Sequence, residues 1–401
     1  MTTVGSFSSS GLYIALFTPR IAVTAGTPDT ATYTARGAAL GQPLRGEITA
    51  YTHSIAAFGG FDSAQWSIAV TSDEAEEWLA RGVGAHVEVG DAGGQRCWEG
   101  RVDSVEVQIG GAVIRRGPLR DVYNQVKVIY STIDTSTSPP TLGVRVETAW
   151  AEDVDSEARW GVRRGIFSTQ GMSDAQATQY RDMALLELAE PWTTRDLTLA
   201  RTAGKVNVTF QAYGYYQYCW YPYNSTTTGT QNLSVKLAAV VDAEPNALIR
   251  STNGTIATNT FQVGTYDNDN RNALDIIREL VALGDASFNR YLFGVWEDRQ
   301  TRYVAAPTTV EYLMAAKSSE QAIRLASGQR LEHWQVRPGK WLRFTDMLSG
   351  YPAAAPKDDP ASMFVERVQF TWPAQLQLQG GYTDSLQVLM AQYGLSGGGG
   401  F

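Results

Sequence analysis

Short stretches in which apolar and polar residues alternate dominate the first third of the chain. In residues 98–102 and 126–130 apolar side chains recur at every second position, which is typical of antiparallel strands buried on one face. Turn-forming glycine pairs separate several of these stretches. The pattern predicts an N-terminal β-barrel domain over residues 1–135, built from strands near 12–17, 44–52, 65–70, 85–89, 96–107 and 122–130.

The strand around residues 98–102 allows a specific prediction of side-chain orientation. Successive side chains of a strand point to opposite faces of the sheet. We therefore expect Trp98 and Val102 to point into the core of the barrel, and Glu99 and Arg101 to face outward.

Three helices are predicted from capping signals and three- and four-residue apolar spacing. Capping boxes start the first helix at 71–74 and the second at 173–176, and Gly82 and Pro191 mark their ends. The third helix is predicted over 270–283, with Gly284 as its C-terminal cap.

The predicted fold class is mainly β with a few α-helices (α+β). After the first domain, residues 136–200 are predicted to connect through a segment containing the second helix. A second β-rich domain is predicted over 201–350 with the helix at 270–283 inserted, and residues 197–265 are expected to form strands and turns. A Pro338-Gly339 turn is predicted to separate a strand at 334–336 from one at 341–344. Residues 351–401 are expected to form a strand pair, a short helix near 383–393 and a Gly-rich tail.

Composition restricts the classes of function. With 33 Lys and Arg against 41 Asp and Glu, the net charge is -8, and the Arg residues are scattered. Proteins that grip nucleic acid through its phosphates normally present a clustered basic face, so we expect DNA to pass without specific binding. No apolar run of about 18 residues exists to span a membrane, and the N-terminus lacks the basic region of a signal peptide.

Catalytic and metal-binding motifs are not recognisable. His53, His86 and His333 match no zinc-hydrolase or nucleophile spacing, and we interpret them as surface or hydrogen-bonded strand histidines. Cys97 and Cys219 are predicted to be buried small apolar residues. We therefore predict that the protein is not an enzyme and uses no cofactor and no metal.

A dense aromatic cluster between residues 213 and 223 is the most unusual local feature. Such rings offer large contact areas to a protein or a sugar at low entropic cost. An antiparallel strand with aromatic pairs on both faces is an equally weighted alternative. The possible partner-contact aromatics are Tyr213, Tyr215, Tyr216, Tyr218, Trp220, Tyr221 and Tyr223.

Several segments together resemble phage tail-tip (baseplate) hub proteins, the minor tail proteins of siphophages. Residues 97–105, then 119–121 and 124–130, are similar to the first barrel of that family. Residues 159–162, which contain Trp160 and Gly161, resemble the aromatic-Gly landmark before a helix, although the family more often carries Tyr there. Residues 264–284 and 337–341 resemble later parts of the same proteins.

The resemblance implies a virion protein with β-barrel domains of the tail-hub type. It implies a homotrimer that joins the tail tube or distal tail protein to tip or fibre proteins, lets DNA pass, and assembles in the host cytoplasm. A hexameric distal tail ring protein and a carbohydrate-binding or hydrolytic tail protein are the alternatives. No peptidase, lysozyme or coiled-coil segment is recognisable, so we expect neither a tail lysin nor a receptor-binding fibre.

Overall fold

A computed structural model describes most of the chain, and the described residues are 3–6, 12–17, 47–91, 96–136, 138–198, 206–223, 229–265, 270–287, 289–347, 355–372 and 375–381. The predicted helix near 383–393 and the Gly-rich tail therefore lie outside the described residues. Within them the protein is mainly β, with a few helices and both parallel and antiparallel strand pairs.

The first lobe holds the longest strands, which pair mostly with sequence neighbours. Its strands are β1 Thr3–Ser6, β2 Leu12–Phe17, β3 Glu47–Ala56, β4 Gly59–Ala69, β5 His86–Asp91, β6 Arg96–Ile109 and β7 Ala112–Arg116. The hairpin between β3 and β4 turns at residues 57–58, and Gly59 and Gly60, which open β4, have φ angles of 101° and 79° that favour glycine. Its core contains Trp66, Trp78 and Trp98.

Two later strands complete this lobe. Strand β13 (Asn207–Tyr213) inserts between β4 and β6, and strand β12 (Thr193–Leu197) pairs with β7. On the other side, β3 pairs with β22 (Ser362–Thr371), which pairs with β23 (Gln375–Gly380). The described ladders form an open path through the molecule, so the closed barrel expected from the sequence is not shown.

The orientation predicted for β6 is half right. Trp98 and Val102 are fully buried, which confirms the strand and its core face. The outward orientation of Glu99 and Arg101 is wrong, since both are buried, at 1% and 3% exposure. Other parts of the chain cover that face: Glu99 accepts from Arg96 at 2.6 Å, and Arg101 donates to the Gly84 carbonyl at 2.7 Å.

Helix α1 (Ser72–Arg81) matches the first predicted helix. The Thr71 hydroxyl accepts from the Glu74 backbone amide, and the Glu74 carboxylate accepts from the Thr71 amide at 2.9 Å. The helix ends at Gly82, as predicted, and buries Trp78 against Phe210 with ring centroids 5.0 Å apart. The capping box therefore sets the start of the helix, and the buried Trp78 fixes it on the first lobe.

A small sheet with two helices follows. Its strands are β8 Gln125–Asp134, β9 Thr141–Glu147, β10 Ala151–Glu152 and β11 Arg164–Gln170. Its helices are α2 Val154–Trp160, which the sequence did not predict, and α3 Asp174–Leu188, which matches the second predicted helix.

The second lobe surrounds two helices that pack together. Its elements are β14 Gln231–Asn232, α4 Leu233–Asp242, β15 Arg250–Ile256, β16 Gln262–Val263, α5 Ala273–Ala282, β17 Tyr291–Val295 and β18 Gln300–Ala305. Helix α5 confirms the third predicted helix, with Asn272 at its N-cap. The prediction of only strands and turns over 197–265 is wrong, because buried Leu233, Leu237, Val240 and Val241 form one side of α4.

The C-terminal strands form a third apolar cluster on β22. They are β19 Val310–Met314, β20 Ile323–Leu325 and β21 Trp341–Phe344, together with β22 and β23. The closing strand pair and the strand at 341–344 are confirmed. The strand predicted at 334–336 is wrong: His333–Gln335 is a single 3₁₀ turn that buries Trp334.

Truncating the buried indole of β6 tests the core of the first lobe. We expect Trp98→Ala to lower the free energy of unfolding by about 3–5 kcal/mol, because it leaves a cavity in a fully buried site. Urea unfolding followed by circular dichroism measures the loss. A loss below about 1 kcal/mol, the size typical of surface substitutions, would contradict the burial of Trp98.

His53 should make stability depend on pH. Its ring packs on Phe370, its Nδ1 lies 2.8 Å from the Tyr51 hydroxyl, and burial lowers its pKa to about 3 from an ordinary 6.5. The unfolded chain therefore takes up a proton below pH 6.5 that the folded protein refuses, so stability declines from pH 6.5 toward 3, by at most about 1.4 kcal/mol per pH unit.

The variant His53→Phe should keep the ring packing and lose this slope. Burial raises the pKa values of the Glu99 and Glu244 carboxyls, which makes stability rise as the pH falls. This opposite slope is the same in the unchanged protein and in His53→Phe. Urea unfolding of both proteins at several pH values isolates the His53 contribution. Parallel curves for the two proteins would show that His53 does not titrate differently on unfolding.

Candidate interaction surface

The small sheet carries a helix that is only lightly attached to it. Strand β8 lies in the centre, with β9 and β10 antiparallel on one edge and β11 parallel on the other. Helix α3 covers one face of this sheet, where Ala177 packs with Val128 and Tyr130. Ala177 is the one side chain of α3 that is buried, so the helix presents most of its surface outward.

Local interactions hold α3 helical despite this shallow packing. The Ser173 hydroxyl accepts from the Gln176 amide at 3.4 Å, and the Gln176 side chain accepts from the Ser173 amide at 3.0 Å. The Tyr130 hydroxyl donates to Asp174 in the first turn. The helix therefore starts at a defined residue without requiring a large buried face.

Large exposed apolar side chains are concentrated in this part of the molecule. Of eleven such residues in the described chain, nine lie between residues 133 and 197, and Leu186, Val144 and Leu197 are 84%, 75% and 70% exposed. We call the nine residues the apolar surface: Ile133, Leu142, Val144, Val154, Tyr180, Met183, Leu186, Trp192 and Leu197. The nine residues are close in sequence and lie on β8, β9, α2, α3 and β12 with its approach. Single exposed apolar residues are ordinary, whereas several of them on one element, as on α3, favour a contact surface.

The helical part of the apolar surface has a regular spacing. Tyr180, Met183 and Leu186 follow one another at three-residue spacing on α3. This stripe runs from Tyr180, whose ring centroid lies 6.4 Å from that of Phe167, to Leu186 on the outer side of the helix. Met183 and Leu186 also line a shallow open groove with Asp174 and Asp182 at its border. An apolar stripe with an acidic border suits contact with another protein segment.

A buried pair of arginines holds the small sheet on the first lobe. Arg163, between α2 and β11, is fully buried and donates to the Leu119 carbonyl at 3.0 Å and to the hydroxyls of Tyr218 and Tyr221. Arg101 of β6 also donates to the Tyr218 hydroxyl. The two guanidinium groups therefore converge on one tyrosine, which orients the small sheet and the apolar surface that it carries.

The aromatic cluster predicted from sequence lies mostly inside the protein. Tyr215–Trp220 is a 3₁₀ segment, and of the seven aromatic residues five side chains are buried: Tyr215, Tyr216, Tyr218, Tyr221 and Tyr223. These five belong to the core and to the arginine network, but they lie on a 3₁₀ segment and just after it, and not on the antiparallel strand that the alternative expected. Tyr213 and Trp220 are half-buried, with ring centroids 5.8 Å apart, and partner contact stays a prediction for those two.

A second surface is polar and nearly free of net charge. Strands β22, β3, β4 and β13 place hydroxyl and amide side chains on the face opposite the first core, around a cavity of about 280 Å³. Its polar lining is Thr52, Ser54, Ser63, Gln65, Gln211, Tyr213, Arg367 and Gln369. Asp62 lies 2.9 Å from Arg367 and accepts from Tyr216 at 2.6 Å, so the cationic residue of the lining is paired. We call this region the polar sheet face.

An ionic cluster joins β5 and β6 to the turn at Asp298. Arg96 donates to Asp298 at 2.7 Å and to Glu99 at 2.6 Å. His86 lies 2.6 Å from the Tyr215 hydroxyl and 3.1 Å from Glu88. Each of these groups is engaged by neighbours, which fits a structural role, and His53 and His86 are hydrogen-bonded strand histidines as predicted. Cys97 and Cys219 are buried, also as predicted.

Within the described residues, no group of His, Cys, Asp or Glu side chains is arranged to hold a metal ion. No helix of the described chain is long and apolar enough to cross a membrane. The structure thus defines a mainly β protein with an apolar surface at one region and a neutral polar sheet face at another.

Comparison with known proteins does not assign the chain to a family. No family model matches the chain, and no curated protein matches its sequence. Among solved structures, the chain is distantly similar to the crystal structure of the tail protein from Neisseria meningitidis MC58. The TM-score is 0.37 and the identity 7%, over 85% of this chain and 94% of that chain.

The apolar surface should contribute nothing to the stability of the isolated chain. We expect Met183→Ala combined with Leu186→Ala to change the free energy of unfolding by less than about 0.5 kcal/mol, because both side chains are exposed and alanine keeps the helix propensity. Ala177→Asp, which buries a carboxylate in the contact between α3 and β8, is the destabilising control. A loss above about 1 kcal/mol in the double variant would show that these side chains pack within the chain.

Proposed function

We propose that the protein is a structural virion protein of the phage tail tip, a hub that joins the tail tube to the distal tip and lets DNA pass. The observation that carries the proposal is the apolar surface. Nine of the eleven large exposed apolar side chains in the described residues lie between residues 133 and 197, and clustered exposed apolar side chains favour a surface that other protein covers. The resemblance of residues 97–130 to tail-hub proteins supplies the context.

Assembly explains the apolar surface better than a soluble monomer does. Leu186 and Leu197 each keep most of their surface in water, and removing such a side chain from water is worth about 1.5–3 kcal/mol. Several such residues in one contact supply the surplus that specific association needs. The partners that follow are other copies of the chain, a tail tube or distal tail protein, and tip or fibre proteins.

The polar sheet face supports the proposed passage of DNA. Its hydroxyl and amide groups carry no charge, and the exposed Gln65 and Gln211 lie near its centre. The cation of its lining, Arg367, is paired with Asp62 at 2.9 Å, so a channel wall of this kind exchanges hydrogen bonds with water and offers phosphates few unpaired cations. We propose that this face borders the channel of the assembly.

The proposal allows two assemblies, which differ in the number of copies of the chain. A tail-tip hub is a trimer and a distal tail ring is a hexamer, so threefold or sixfold symmetry of the purified particle separates them. We favour the trimer because the resemblance is to hub proteins.

Carbohydrate binding is a second candidate function, favoured by the polar cavity itself. Hydroxyl and amide groups around about 280 Å³, with the Tyr213 ring at the border, suit a neutral sugar. Binding of cell-wall or capsule oligosaccharides that Gln211→Ala abolishes would support it, and turnover of the sugar would make the protein an enzyme.

A phage genome lacking this gene, complemented with variants, tests the structural proposal. We expect the null phage to yield defective tails, and Met183→Glu with Leu186→Glu to fold normally but fail to enter particles. Val235→Glu, at a 51% exposed position outside the apolar surface, is the matched control and should complement. Intact infectious tails in the null phage would contradict the proposal.

Complemented particles also test the channel. Gln65→Arg with Gln211→Arg should leave tails assembled but slow DNA release, because added cations hold phosphates, and Gln65→Glu with Gln211→Glu should not. Release is timed in vitro by a DNA-binding dye. Equal release from both double variants would show that the polar sheet face does not border the channel.

A further inference from the structure

Among the described residues, one continuous path of strands has an unpaired edge at each of its two ends. The path runs β12, β7, β6, β13, β4, β3, β22 and β23, and each step in it is antiparallel. Within the described residues, β12 pairs with β7 alone and β23 pairs with β22 alone. Unpaired strand edges are templates for pairing with another chain.

The two edges match each other in length and direction. Strand β12 has five residues and β23 has six. The path has an even number of antiparallel strands, so β12 and β23 run in opposite directions. A rotation about an axis along the strands keeps these directions, so β12 of one copy and β23 of the next would meet as antiparallel neighbours.

The faces of the two edge strands match as well. Arg195 and Leu197 of β12 are in register with Ile114 and Ala112, on the side of the buried Val107. On β23, Leu376 is in register with the buried Phe370, and Leu378 with the buried Val368. Joining the edges therefore puts the apolar residues of both strands on one face and leaves Thr194 and Gln377 on the other.

Charge complementarity supports the same contact. Leu331 and Val336, which flank the 3₁₀ turn His333–Gln335, pack in the cluster that contains Leu376 and Leu378. Next to Leu331 stands Glu332, which is exposed, and Arg195 is exposed on the matching face of β12. Neither residue makes an ion pair with the described part of its own chain. The Glu332 side chain accepts from the Gln335 backbone amide in a capping box, and a carboxylate that accepts one such bond keeps the capacity to pair with Arg195 of the next copy.

We propose that copies of this chain assemble head to tail, with β12 of one copy paired antiparallel to β23 of the next. The register places Leu197 opposite Leu376 and Thr193 opposite Gly380, which gives every residue of β12 a partner. The contact joins one polar sheet face to the next. This inference rests on the proposed function and names the contact through which the copies assemble.

Disulfide trapping tests the contact and its register. Directly opposed residues in antiparallel strands have Cα atoms about 4.5–5.5 Å apart, which suits a disulfide. The full-length variant Leu197→Cys with Leu376→Cys should form covalent oligomers on mild oxidation, ending at the trimer. Cys97 and Cys219 are buried and give no background.

Three controls make the trapping decisive. Leu197→Cys with Gln377→Cys, whose side chains point to opposite faces, should give little product. Each single cysteine variant should stay uncrosslinked, and a covalent dimer of Leu197→Cys alone would show instead that β12 pairs with itself. Absence of crosslinks in the matched pair, under conditions where the protein is trimeric by mass photometry, would overturn the inference and leave the proposed assembly intact.

Charge reversal gives an independent readout. Arg195→Glu and Glu332→Arg should each weaken association about tenfold, and the two changes together should restore at least part of the loss. Val235→Glu is the control outside both edges. Unchanged association in both single variants would contradict the contact, whereas a wild-type chain that stays monomeric and never enters particles would contradict the proposed function itself.

Discussion

The structure depends on two arginine side chains placed where water does not reach. Arg101 and Arg163 are 3% and 0% exposed, and both donate to the hydroxyl of Tyr218. Carbonyl groups take further donors of both side chains, which offsets part of the cost of removing the charges from water. The three residues come from β6, from the segment before β11 and from the aromatic 3₁₀ segment, so the network joins three parts of the chain that have separate cores. A small sheet held in this way can carry an apolar helix stripe at a fixed orientation.

Local signals in the sequence predicted the elements whose ends are set by local chemistry. The capping boxes at Thr71 and Ser173 gave the starts of α1 and α3, because the hydrogen bonds involved connect residues three apart. Alternation in β6 placed Trp98 correctly. The same alternation gave the wrong orientation for Glu99 and Arg101, because it shows only that one face of the strand is apolar and the other polar. Whether the second face is covered depends on Gly84, Trp160 and Tyr218, which are distant along the chain.

The candidate site was harder to predict for the same reason. The dense aromatic cluster suggested a contact platform, but the arginine network and the second core bury most of its rings. The residues that do stay exposed, such as Met183 and Leu186, lie in a helix whose spacing resembles that of an ordinary packed helix. Sequence periodicity alone does not separate an apolar stripe that faces a core from one that faces a partner. The shallow packing of α3 on β8 makes that distinction, and it is visible only in three dimensions.

We propose that this chain works as a structural subunit of a phage tail tip, built around a channel with a neutral polar wall. Electron cryomicroscopy of purified tails from the phage that encodes it tests this claim most directly. We expect threefold copies of the chain at the end of the tail tube, with α3 covered by neighbouring protein and Gln65 and Gln211 facing the central channel. Tails that lack the chain, or copies bound peripherally with α3 in open solvent, would contradict it.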